Sequence, residues 1–207
     1  MTTPLGTLDL VVRDGRRVTV RRVTRETDVT VTVDLDGSGA ADIETGVGFY
    51  DHLLTSLAHH SLVDLAIEAT GDLHVDDHHT VEDVALVLGA AVAEALGDRA
   101  GINRFGDASV PMDEALATAV LDIGGRPYAV IDLPFRGERA GTLTLQNVEH
   151  ALEAFARTAG ATLHHRGTGR NDHHLAEAAF KALGRALRAA TTADPRRTGI
   201  ASTKGST

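Results

Sequence analysis

Apolar and polar residues alternate from Arg17 onward. Val29, Val31, Val33 and Leu35 fall on one face of an extended strand, and Thr30, Thr32 and Asp34 on the other. Asp36-Gly37 closes that strand with a turn. A short strand follows around Ala41 to Thr45, and then the period changes. Beyond Gly46-Val47-Gly48, residues Leu53, Leu54, Leu57 and Ala58 recur at helical spacing and put His52 in the first turn of a helix. Leu62 to Thr70 returns to extended chain, and Gly71-Asp72 turns out of it. Val81, Val84, Ala85, Leu88, Val92 and Leu96 then form an apolar stripe with a period of about 3.6, which Gly97 ends. The first 15 residues read as a polar lead-in closing on the turn signal Arg13-Asp14-Gly15.

This order of strands, helix, strand and helix occurs twice. Glu114 to Gly125 (EALATAVLDIGG) aligns without a gap onto Glu26 to Gly37 (ETDVTVTVDLDG), pairing Glu26 with Glu114, Asp34 with Asp122 and Gly37 with Gly125. Tyr128 to Leu133 reads as the next strand. Asn147-Val148-Glu149-His150 opens a helix as Phe49-Tyr50-Asp51-His52 does, Ala161 to His165 is extended, and a last helix carries Phe180, Leu183 and Leu187. The pattern predicts an internally duplicated α+β chain, with half-repeats at 1–97 and 98–190 and a tail at 191–207. Two similar lobes would pack together with their sheets sharing a core that the helices cover. The polar tail, with Pro195, two Arg and a terminal STKGST, reads by composition as disorder.

Composition narrows the class. A formal charge of -9 argues against nucleic acid or an anionic membrane as partner, because either would select a basic face. No apolar run is long enough to span a bilayer, and the first residues lack the basic and apolar regions of a signal peptide. With 3% aromatic residues, the core must come from Val, Leu, Ile and Ala. The chain has no Cys, which is compatible with a reducing cytoplasm and leaves nitrogen and oxygen as the donors for any metal.

Donors of that kind are concentrated in a repeated motif. Asp76 to Asp83 reads DDHHTVED, and Asn171 to Ala178 reads NDHHLAEA, so His78, His79 and Glu82 recur as His173, His174 and Glu177, 95 residues later. On a helix, positions three and four apart lie along one side, which suits an N and O ligand set for Mn, Fe, Ni, Co or Zn. Adjacent histidines diverge by about 100°, so one pair serves two ions more readily than one. With His52 and His150 there are six imidazoles and two carboxylates, enough for two sites of three His and one Glu, each with room for water or substrate. Structural metal sites or helix capping without an ion are the bland alternatives. Structural zinc usually takes closed, often Cys-containing shells, and six matched histidines are costly without a metal. Glu26, at a strand entrance, reads as a solvated end, and His59, His60, His74, His164 and His165 read as surface or supporting residues. A pseudo-twofold protomer also points to homo-oligomers that set the ligands of one half against a neighbour's.

The chain resembles the imidazoleglycerol-phosphate dehydratases of histidine biosynthesis, in their short monofunctional form. The resemblance runs from about Arg21 to Gly205 through RET at 25–27, FYDHLL at 49–54, ATGDLHVDDHHTVED at 69–83, GINRFGDASVPMDEAL at 101–116, GRPY at 125–128, GRNDHHLAEA at 169–178 and STKG at 202–205. It implies mixed four-stranded sheets with paired helices, and a 24-subunit shell built from trimers with Mn2+ sites between subunits. One ion would take His52, His78, His174 and Glu177, and the other His79, Glu82, His150 and His173. Arg104, Arg126, Ser202 and Lys204 match the phosphate-binding residues, Asp113 matches a carboxylate near the active site, and the tail should become ordered over substrate.

The implied reaction removes water from imidazole glycerol phosphate. Direct elimination is difficult because the hydrogen on the carbinol carbon next to CH2-phosphate is not acidic. Loss of the imidazole N–H proton lets the ring expel the neighbouring hydroxyl, and a carboxylate then takes the acidified proton to give the enol. Glu26 matches the family's acid–base residue for this step, with a metal-bound water and Glu177 as the alternatives. Ser56 stands where the family commonly has Gln, and its shorter reach would put water in place of a direct phosphate contact. The competing readings are a dinuclear metal hydrolase, although such centres usually use bridging Asp or Glu, and a metal-storage or metal-dependent assembly protein.

Overall fold

The structure is a computed structural model describing residues 2–3 and 6–205. The first half contains β1 (Thr2–Thr3), β2 (Gly6–Asp14), β3 (Arg17–Val23), β4 (Thr27–Asp34), β5 (Ala41–Glu44), α1 (Gly48–Ser61), β6 (Asp64–Gly71) and α2 (His78–Leu96). The second contains β7 (Phe105–Met112), β8 (Ala115–Asp122), β9 (Tyr128–Asp132), the short pair β10 (Arg139–Ala140) and β11 (Leu143–Thr144), α3 (Gln146–Ala159), β12 (Thr162–Thr168) and α4 (Asp172–Thr191).

The duplication is evident in the sheet order. The second sheet runs β7-β8-β12-β9 and the first contains β3-β4-β6-β5, extended beyond β3 by β2 and β1. In both units the first three strands are antiparallel and the last pair is parallel. The crossovers β5-α1-β6 and β9-α3-β12 therefore correspond. Along β4, buried and half-buried residues alternate strictly, as the pattern predicts.

Helices α1 and α2 lie on the first sheet, and α3 and α4 on the second. The two helical layers meet through α1 against α4 and α2 against α3. Small residues allow this approach. A Cβ at Gly89 would lie 2.5 Å from Phe155 O, and one at Gly184, the equivalent residue of α4, would lie 2.8 Å from Leu57 O. The core is mostly Val, Leu, Ile and Ala, with Tyr50, Phe155 and Phe180 as its large aromatics.

Two long strands, β2 and β7, were not apparent from the pattern, nor were the two-residue strands β1, β10 and β11. β2 is near the edge of its sheet with Leu10, Val11 and Val12 about half exposed, so it shows no alternation, and its pairing shifts between Leu10 and Val12. β7 contains Gly106 and Pro111, residues that usually break strands, but as an edge strand it can accommodate proline. Gly106 is also required by packing, since a Cβ there would meet Ala186 O of α4 at 2.1 Å. The tail contains isolated bridges that pair Ile200 with Ala100 and Ala193 with Ile102, so backbone pairing offsets the composition that reads as disorder.

Because α1 and α2 follow the ends of the parallel strands β5 and β6, both helices start at one end of the first sheet. The same geometry places the starts of α3 and α4 at one end of the second. Buried Asp77, just before α2, accepts hydrogen bonds from Thr144 N and Oγ1, both at 2.7 Å, which anchors that helix start beside α3. Farther along α2, buried Asp83 is ion-paired with Arg22 of β3 and accepts a hydrogen bond from Thr27 Oγ1, fixing the helix against the strand that follows Glu26.

Candidate metal centres

The helix starts bring the donors together in two clusters that mirror each other. His52 of α1 meets His173 and Glu177 of α4, and His150 of α3 meets His78 and Glu82 of α2. In each cluster the ligand atoms lie within 4.8 Å of one another. Each contains the isolated histidine of one half with the first histidine and the glutamate of the other half's HHxxE motif. This partition differs from the expected sets, where His173 joined His79, Glu82 and His150, and His78 joined His52, His174 and Glu177. Helix geometry explains the difference, because the glutamate at i+4 stacks over the first histidine of its own motif.

In the first cluster, Glu177 Oε1 is 3.0 Å from His52 Nε2 and 2.9 Å from His173 Nε2. Its other oxygen is 2.6 Å from Lys181 Nζ, one turn further along α4. Burial alone would raise this carboxyl's pKa, but hydrogen bonds from Lys181, His52 and His173 bring it down to about 2. Phe49 packs on the His173 ring at a centroid distance of 4.7 Å.

In the second cluster, His150 Nε2 is 3.3 Å from Glu82 Oε1, and the His78 and His150 rings stack at 4.9 Å. Asn147 Oδ1 lies 3.1 Å from His78 Nδ1, and Arg157 Nη2 donates to Glu82 Oε1 at 3.1 Å. These donors are nitrogens and carboxylate oxygens with no sulfur, a set that suits a divalent first-row transition-metal ion.

The second histidine of each motif joins neither cluster. The His78 and His79 rings differ in plane by 82°, and those of His173 and His174 by 81°. His79 Nδ1 lies 3.0 Å from Asp72 Oδ2 and 4.0 Å from Glu26 Oε2. His174 Nδ1 lies 2.9 Å from Glu114 Oε2, while its Nε2 is 3.7 Å from Asp113 Oδ2. The hydrogen bond to Asp72 is the main influence raising the proton affinity of His79, and the bond to Glu114 does the same for His174. Glu26 is exposed beside a depression of about 290 Å³ that Asp72 and His74 also line.

The residues matched to phosphate binding gather elsewhere. Arg104 makes two bonds to Asp122, at 2.6 and 2.8 Å, and donates to Ala201 O at 2.7 Å. Arg126, 74% exposed in its side chain, lies 3.8 Å from the same carboxylate. Ser202 and Lys204 follow directly in the tail, where Lys204 N donates to Ser202 Oγ at 3.2 Å. β8 starts just after Glu114 and ends at Asp122, so these groups lie roughly 26 Å from the His174 end of the strand.

His59, His74 and His164 are exposed and His60 is half-buried, but His165 is 1% exposed inside the second sheet, which overturns the surface reading of it. Asp72, Glu114, Asn147 and Lys181 were not picked out as site residues. The spacing of Lys181 from Glu177 and the alignment of Glu114 with Glu26 are the signals that could have found two of them.

Residues 45–187 match the family model described as imidazoleglycerol-phosphate dehydratase. The chain is 54% identical over 187 residues to the imidazoleglycerol-phosphate dehydratase of Methanoculleus marisnigri, covering 90% of this chain and 97% of that one. It is 56% identical over 188 residues to the chloroplastic protein of Pisum sativum, covering 90% of this chain and 67% of that one. Among solved structures it resembles the Staphylococcus aureus dehydratase, with a TM-score of 0.77 and 38% identity over 85% of this chain and 98% of that one. The Pyrococcus furiosus structure gives a TM-score of 0.78 and 37% identity over 90% and 99%.

Proposed function

The chain belongs to the imidazoleglycerol-phosphate dehydratase family, and on that premise we propose how its residues divide the work of the reaction. The enzyme is a hydro-lyase of histidine biosynthesis that converts imidazole glycerol phosphate to imidazole acetol phosphate. The two clusters hold divalent ions, with Mn2+ assigned from the family resemblance and from the sulfur-free donors. An ion bound there supplies Lewis acidity that makes the substrate's imidazole N–H easier to lose.

The observation that carries this reading is the exchange of donors between halves. Each cluster has two histidines and a glutamate, which is short of the three histidines and one glutamate available per ion. His79 and His174 are left over in their own chain, and each has one ring nitrogen engaged by a carboxylate. We assign them to clusters of neighbouring copies. The position of the phosphate-binding candidates supports the same conclusion, since Arg104, Arg126, Ser202 and Lys204 lie far from His174 along β8 and would serve a neighbour's centre. Sites shared in this way favour the 24-subunit assembly implied by the resemblance. No helix among the described residues is long and apolar enough to cross a membrane, and we place the enzyme in the cytoplasm.

Within the shared site, the Arg104 and Arg126 guanidiniums and Lys204 fix the phosphate, with Ser202 as a hydroxyl donor and Asp113 near His174 facing the substrate. Glu177 is occupied by His52, His173 and Lys181, so it serves the cluster as an anionic ligand. Glu26 is exposed, 4.0 Å from His79, and takes the proton from the carbinol carbon once the ring has expelled the neighbouring hydroxyl and made that proton acidic. The test is turnover of imidazole glycerol phosphate before and after metal removal and after Mn2+ is restored. Activity that survived complete metal loss would exclude this division of labour.

A further inference from the structure

Glu26 and Glu114 occupy equivalent places. Each is the second residue of the turn joining two antiparallel strands: Arg25-Glu26 lies between Thr24 and Thr27, bonded N to O at 2.8 Å, and Asp113-Glu114 lies between the paired residues Met112 and Ala115. Their environments differ. Glu114 Oε1 accepts the backbone N–H groups of Arg170 and Asn171 at 2.9 and 2.7 Å, and its Oε2 faces His174 Nδ1 at 2.9 Å. Every part of that carboxylate is engaged. Glu26 has no such bonds, and its closest approach to His79 is 4.0 Å.

The two halves also differ in the residue after Gly71 of the first sheet and after Gly169, its counterpart in register, in the second. In the first half that residue is Asp72, whose own carboxylate lies 3.0 Å from His79 Nδ1. In the second half the equivalent residue is Arg170, which has no carboxylate and offers only its backbone N–H, to Glu114. The turns differ as well: Asp113 has φ 47, in a region that Asp tolerates, whereas Arg25 is not among the positive-φ residues.

Building on the metal-centre reading, we propose that Glu114 is a positioning residue: it holds His174 with the proton on Nδ1 and Nε2 free to bind an ion, as Asp72 does for His79, leaving Glu26 as the turn carboxylate available for proton transfer. A histidine ligand commonly donates its other N–H to a carboxylate, and loss of such a partner typically weakens metal binding 10- to 100-fold. Glu114→Gln is an informative change. Its amide oxygen can still accept the two backbone N–H groups, which keeps the turn, but its NH2 then faces His174 Nδ1. That nitrogen must accept, so the proton moves to Nε2 and blocks the metal-facing side.

The experiment uses the full chain, metal-free and labelled with 15N-histidine, with His174 assigned by comparison with His174→Gln, followed by Mn2+ titration. Wild type should show His174 as the Nδ1–H form and bind Mn2+ at two sites. Glu114→Gln should show the Nε2–H form and lose about 10- to 100-fold in affinity at one of them. Asp72→Asn should do the same through His79 at the other site, so the idea does not depend on one variant folding well. Unchanged His174 protonation and unchanged affinities in Glu114→Gln would overturn the role of Glu114. Failure of wild type to bind Mn2+ would instead overturn the metal-centre reading beneath it.

Discussion

His52 Nε2 and Glu177 Oε1 stand 3.0 Å apart although they belong to opposite halves, because α1 and α4 pack together with their starts at the same end. Removing either donor should therefore disable one cluster and leave the other. Glu177→Gln is expected to lower bound Mn2+ by one ion per chain, and adding His52→Gln should lower it no further. Combining Glu177→Gln with Glu82→Gln should remove both ions. Metal analysis of the purified variants checks this, and additive losses from His52 and Glu177 would show that they serve different ions.

Assembly should depend on metal for the same reason. If His79 and His174 complete clusters in neighbouring copies, chelation breaks contacts between chains and should dissociate the particle into smaller units, with Mn2+ rebuilding it. Light scattering across a chelator titration follows the mass directly. A large particle shown to be free of metal would mean that other surfaces hold the copies together.

The parts of this architecture that buried one face were legible in the sequence. β4 shows clean alternation because one side meets α2, and the helices with HHxxE motifs show their stripe for the same reason. β2 and β7 were not legible, since edge strands leave their side chains exposed or depend on glycine packing, neither of which produces a period. The candidate ligands could be named from the repeat of His78-His79 and Glu82 as His173-His174 and Glu177. Their partition could not, because it depends on which helix of one half lies against which helix of the other. The supporting carboxylates were harder still: Asp72 and Glu114 do the same job from non-equivalent positions, so alignment of the halves conceals it.

The tail should contribute to substrate binding without holding the fold. Its bridges use the backbone near Ala193 and Ile200, whereas the Lys204 side chain is exposed. Lys204→Ala should leave metal content and assembly intact and lower kcat/KM roughly thirtyfold, the equivalent of about 2 kcal/mol for a lost charged contact to phosphate. A change of less than twofold would assign the tail to some other task.

Buried His165 predicts an acid sensitivity unrelated to the metal sites. On the first-half strand the equivalent residue is Ile67, and His165 lies between Ala119 and Ile131 with neither ring nitrogen well bonded. Burial lowers its pKa from 6.5 to about 4, with only a partial offset from the Ala179 backbone on α4. An unfolded chain takes up this proton first, so the contribution of neutral His165 is whole above pH 6.5 and is lost as the pH falls toward 4. The loss should be on the order of 3 kcal/mol. Denaturant unfolding of metal-free wild type and His165→Ile across this range should show the variant losing less stability, and parallel losses would remove His165 as the cause.

Proton transfer and metal binding should separate at Glu26. The residue lies in a turn outside both HHxxE helices, and nothing in either cluster depends on its carboxylate. Glu26→Gln keeps the volume and the turn while removing the proton acceptor, so turnover should fall roughly 100- to 10,000-fold with bound Mn2+ unchanged. Glu82→Gln removes an anionic donor, so in that variant metal content and turnover should fall together. Measuring both quantities on the same preparations distinguishes the two roles. If Glu26→Gln lost its metal as fully as Glu82→Gln, Glu26 would be a ligand or a support for His79, and the proton would have to pass to another group, with Glu177 the first to test.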